Sequence, residues 1–156
     1  MSRRHDGGVA ARRSAGLAVA LAALLLAGGC GADPVVVYRG SAVAALEATL
    51  SEARTAELAG RLWVADRSTH PLAVVVVRDS DSGVGAEVSW FEEQQPPGRA
   101  SDRTRQRTAD ALDAAASAVQ AVRIELDRSD RPATRAALDD LRSACAGLES
   151  LAEELE

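Results

Sequence analysis

Residues 71–95, PLAVVVVRDSDSGVGAEVSWFEEQQ, decide the fold. Taken alone, Leu72 to Val77 is a continuous β-branched run, the composition of a buried strand. Asp79-Ser80-Asp81-Ser82-Gly83 supplies a turn, and Ala86 to Phe91 supplies a returning strand with Val88 and Trp90 on one face. On that reading residues 72–92 form a hairpin and the protein is α+β. The rival is one helix from Pro71 to about Gln95. Proline suits its first turn; Leu72, Val75 and Val76 share a face, and Val84, Val88 and Phe91 continue at 4-3 spacing. β-branched residues cost a helix at most about 0.7 kcal/mol each, so four valines weigh about 3 kcal/mol against it. Gly83 and Gly85 add on the order of 1 kcal/mol apiece. Length favours the helix: the segment ends at Gln95-Pro96-Pro97-Gly98 and matches its neighbours in extent. Two strands alone are also marginal. The hairpin stands as the alternative.

Those neighbours read more simply. Ser41 to about Ala65 is amphipathic, with Ser41 as the expected cap and Val43, Leu46, Leu50, Ala53, Leu58, Leu62 and Ala65 as its apolar stripe. Ser101 to about Arg128 carries the seam Leu112, Ala115, Val119, Val122 and Leu126. After the break Ser129-Asp130-Arg131-Pro132, Ala133 to Leu155 aligns Leu138, Leu141, Cys145, Leu148, Leu151 and Leu155. Four rods of similar length joined by three proline-containing breaks predict a mainly α protein, an up-down four-helix bundle over residues 41–156.

Upstream lies a segment of another kind. Arg3, Arg4, Arg12 and Arg13 form a basic front to the uncharged run Ala15–Ala27, and Gly28-Gly29 leads into Cys30. The run is 13 residues, about 20 Å as a helix, and a membrane span needs roughly 20 apolar residues. This is the grammar of an export signal. Leu26-Ala27-Gly28-Gly29-Cys30 resembles the lipobox of bacterial lipoproteins, although Ala27 stands where that family usually carries leucine. The resemblance implies cleavage between Gly29 and Cys30, with acylation of the Cys30 sulfur. It also implies a protein held by lipid on the extracytoplasmic face of the cell membrane. The expected organisation is a signal peptide over 1–29, a lipidated cysteine and tether over 30–40, and the bundle beyond. Asp33-Pro34 reads as a helix breaker within that tether.

Charge and composition narrow the function. Removing residues 1–29 takes four arginines and Asp6, which moves the net charge from −5 to −8. A chain this acidic argues against nucleic acid as a partner, because binding it takes clustered cations to displace counterions. His70 and Cys145 are then the only histidine and the only free thiol. Neither a paired Glu-x-x-His di-metal site nor a cysteine zinc site can be assembled from them. Asp79, Asp81 and Gly83 begin a calcium-loop pattern, but the sixth and twelfth places hold Val84 and Trp90 rather than glycine and glutamate. Asp66, Ser68 and His70 crowd one loop without a nucleophile elbow. No metal, cofactor or enzymatic activity is expected.

Two constellations remain. Arg99, Arg103, Arg105 and Arg107 open the third helix, where cations oppose the helix dipole. They fit either an anionic surface, lipid headgroup or acidic envelope polymer, or pairing with Asp102, Asp110 and acids of the last helix. Trp63, Trp90 and Phe91 fit either the core or a small-molecule pocket. The expected function is therefore a non-enzymatic binding or structural lipoprotein of the cell envelope. A ligand-binding or sensory lipoprotein with its pocket at those aromatics is the alternative.

Overall fold

The computed structural model describes residues 33–156. Helix makes up 88% of the structure, and no strand occurs among the described residues. The four helices are α1 (Pro34–Val64), α2 (His70–Glu93), α3 (Asp102–Asp127) and α4 (Arg131–Leu155), with a single 3-10 turn at Arg99–Ser101 before α3. The signal peptide, Gly29 and Cys30 lie outside the described residues.

α1 starts earlier than its leucine stripe implies. The Asp33 carboxylate accepts the Val35 N–H at 2.9 Å, and Pro34 occupies the first turn. Asp-Pro is a helix breaker in mid-helix but a cap and opener at a start. Residues 34–40, expected to be tether, therefore belong to the helical domain. Tyr38 is buried there with its ring 6.1 Å from that of Phe91. Ser41 is no cap; it sits inside the helix and donates its hydroxyl hydrogen to the Val37 carbonyl at 3.2 Å.

The run Leu72–Val77 is helical, which overturns the hairpin alternative at 72–92. Its buried face keeps the expected Val84 and Phe91 but departs from the expected one in the first turns. Ala73, Val77, Ser80, Val84 and Phe91 point inward, while Leu72 and Val75 are exposed. α1 shows the same preference for small inward residues: Ala42, Ala45, Ala53, Ala56 and Ala59 are buried, and Leu58 faces solvent. Alanine faces let helix axes approach closely, and Val74, Val76 and Leu50 then close the flanks. The seams of α3 and α4 are buried as read, except that Leu155 is only half-buried.

Consecutive helices are in contact, and α1 also packs against α4. The two turns α1–α2 and α3–α4 are built alike. Arg67 N–H reaches the Leu62 carbonyl and Asp66 N–H that of Trp63; Asp130 reaches Glu125 and Ser129 reaches Leu126 in the same pattern. Asp66 (φ 57°) and Ser129 (φ 58°) hold the left-handed position that glycine usually fills at such a helix end. Ion pairs then join helices at their margins: Arg54–Glu149, Arg142–Glu57, Arg78–Asp127 and Arg123–Asp81. The exposed ones, such as Arg54–Glu149, contribute little stability.

Candidate functional site

The arginines that open α3 divide into two groups. Arg105 donates to the Gln94 carbonyl at 3.0 Å and to the Glu92 carbonyl at 3.4 Å. Those carbonyls belong to the end of α2, whose last turn has no basic residue of its own. Arg105 thus supplies from the next helix the cation that a C-terminus favours. Arg107 makes a two-pronged contact with Glu154 of α4, both nitrogens 2.5 Å from carboxylate oxygens. That hydrogen bonding holds the Glu154 carboxyl below its usual range and raises the Arg107 guanidinium. Among the described residues, Arg99 and Arg103 form no ion pair and both are exposed. Of the four arginines, only these two remain available to an external anion.

The aromatics do not gather. Trp63 is 3% exposed and packs at the α1–α2 turn, 5.3 Å from the His70 ring, with the Arg131 guanidinium 5.1 Å above it. Phe91 is buried with Tyr38 and Leu112 in a second cluster. His70 and Phe91 are separated by about 30 Å along α2. Trp90 belongs to neither cluster and is 42% exposed. A ligand touching Trp63 and Phe91 together would have to span most of the bundle.

The isolated titratable groups have structural partners. His70 hydrogen-bonds the Leu126 carbonyl at 2.7 Å. Cys145 is a buried free thiol, and burial pushes its pKa up, with Glu57 adding to the effect. Burial likewise raises the Tyr38 phenol, against the opposing field of Arg105. Asp81 is taken by Arg123 at 2.9 Å. Among the described residues no group of three or more His, Cys, Asp or Glu side chains is placed to hold a metal ion.

Two exposed apolar features were not anticipated. One is a groove of about 200 Å³ between α1 and α2, lined by Leu58, Leu62, Leu72 and Val76 among others. The other is the first turn of α1, where Val35, Val36 and Val37 are 45–53% exposed. The signal for the second was legible. Three consecutive valines fan over about 200° of a helix, so they cannot all face one core. No described helix is long and apolar enough to cross a membrane. No protein-family model matches the chain, and neither a curated protein nor a solved structure matches it.

Proposed function

We propose that this chain is an extracytoplasmic lipoprotein, anchored in the membrane through acylated Cys30, whose up-and-down four-helix bundle binds or braces another envelope component without catalysing a reaction. The observation that carries the reading is the order of parts in the sequence: a basic front, a short apolar run, Leu26-Ala27-Gly28-Gly29-Cys30, and then the Asp33 cap that opens the folded domain. The up-and-down course is supported by end-to-start contacts between neighbours. Tyr38 at the start of α1 meets Phe91 at the end of α2, and Arg107 near the start of α3 meets Glu154 at the end of α4. The groove at Leu58 lies about 36 Å along α1 from Pro34. An exposed apolar groove fits a binding module better than a passive spacer.

The test is metabolic labelling with a clickable palmitate analogue, followed by membrane fractionation. Wild type should carry the label and sediment with membranes, and Cys30→Ser should lose the label and either be released or accumulate unprocessed. A Cys30→Ser chain that is still processed and membrane-bound would remove the lipoprotein reading.

A further inference from the structure

We infer that the end of the bundle formed by the first turn of α1 and the last turn of α2 is a membrane-contact surface, seated on the lipid headgroup layer through Val35, Val36, Val37 and Trp90. The inference rests on the lipoprotein reading and specifies how the anchored domain is held.

Chain length sets the first constraint. Asp33 is three residues beyond Cys30, so its Cα can lie no more than about 11 Å from that of the acylated residue. The headgroup zone is roughly 5–8 Å thick on each side of a bilayer, the difference between its whole thickness and its hydrocarbon core. A helix that began at Ser41 would have left the domain a long tether. A helix capped at Asp33 begins at the membrane surface.

The chemistry of that end fits the place. Val35, Val36 and Val37 are half-exposed around the first turn of α1, with Tyr38 alone turned into the core. The contact between Tyr38 and Phe91 brings the end of α2 alongside, and the residue before Phe91 is the exposed Trp90. Tryptophan favours the membrane–water interface, where an apolar ring and a polar N–H are both satisfied. The protein's other tryptophan, Trp63, is buried near the opposite end of α2.

Charge decides what kind of lipid is needed. Arg99 and Arg103 are exposed at the start of α3, but Glu92, Glu93 and Glu156 are exposed at neighbouring helix ends, and Arg105 and Arg107 are engaged within the protein. The surface is not a basic patch, so attachment is apolar and does not require anionic lipid.

The experiment uses the full lipidated chain reconstituted in phosphatidylcholine vesicles, with and without phosphatidylglycerol, and lipids brominated on the acyl chain as quenchers. Wild type should lose tryptophan emission to the brominated lipid, equally in both compositions, and Trp90→Phe should abolish the loss. Val36→Asp with Val37→Asp should also abolish it while leaving the helical circular dichroism unchanged, because both positions are exposed. A flexible Gly/Ser spacer between Ala32 and Asp33 should leave the quenching in place, since the surface itself has the affinity. If the spacer abolishes quenching, the tether alone held this end down and the inference fails. If Trp90 is shielded from aqueous acrylamide yet not quenched by brominated lipid, a second copy of the chain covers it and the inference fails. Palmitate labelling without quenching of Trp90 overturns this inference alone; absence of the label overturns the lipoprotein reading with it.

Discussion

The His70 imidazole, at the start of α2, is hydrogen-bonded through Nε2 to the carbonyl oxygen of Leu126, in the last turn of α3, at 2.7 Å. A carbonyl can only accept, so Nε2 is the donor in this contact. The same ring lies against Trp63 of α1, and Arg131 of α4 covers Trp63 while pairing with Asp66. His70 therefore ties the turn ends of α1, α2 and α3, and Trp63 carries the link on to Arg131 of α4. His70→Ala should lower stability by about 1–2 kcal/mol, the net worth of a hydrogen bond plus lost contact with Trp63. Urea denaturation with unchanged native helix content is the measurement; an unaltered midpoint would show that the tie contributes nothing.

The helical glycines differ in what a methyl group would meet. Nothing lies within 4 Å of a Cβ at Gly85, whereas one at Gly60 in α1 would sit 2.9 Å from a Leu138 methyl. Gly85→Ala should therefore raise stability by about 0.5–1 kcal/mol, because alanine loses less backbone entropy in a helix. Gly60→Ala should gain less or lose, since Leu138 must move within the core. Comparing thermal midpoints of the two variants checks both statements.

Cys145 should be an inert thiol while the protein is folded. Burial raises its pKa and leaves little thiolate at neutral pH, and it is the thiolate that reacts. In a Cys30→Ser background, maleimide labelling of Cys145 should be slow in buffer and become fast across the urea unfolding transition. Rapid labelling in buffer would show that the α1–α4 contact opens readily.

The Arg107–Glu154 contact gives a pH dependence of known sign. Glu154 has a lowered pKa in the folded state, so its contribution to stability is present above the ordinary carboxylate range and disappears as pH falls through the lowered value. Glu154→Gln should be slightly less stable than wild type at neutral pH. The gap should close in acid, below the point at which Glu154 itself takes up a proton. Urea midpoints of both proteins across an acid series give the comparison, and a gap that widened in acid would contradict the assignment.

How far the sequence could be read depended on whether polar residues marked the outward face of each helix. In α3 and α4 they do. Leu112, Val119 and Leu126, and Leu138, Leu141 and Leu148, stand among Asp, Arg and Glu, so both helices and their buried seams follow from spacing. Local sequence also favoured a helix at 71–95, observed as His70–Glu93, through the length between proline breaks rather than through the valines themselves. It placed the lipobox-like stretch ahead of the domain.

Only the tertiary structure decided which side of α1 and α2 faces inward. Alanines and valines surround both helices, so local periodicity has no single phase: Leu46 and Ala53 are buried as read, but the core took Ala42, Ala45 and Ala73 rather than Leu58 and Leu72 because small residues permit close helix approach. Tertiary packing also extended α1 back to Pro34, since burying Tyr38 against Phe91 stabilises a first turn that Ser41 never needed to cap. It assigned the arginines as well: Arg105 found the end of α2 and Arg107 found Glu154, partners 11 and 47 residues away. A charge's partner on another helix is set by how the helices stack, and no local pattern in the chain encodes that distance.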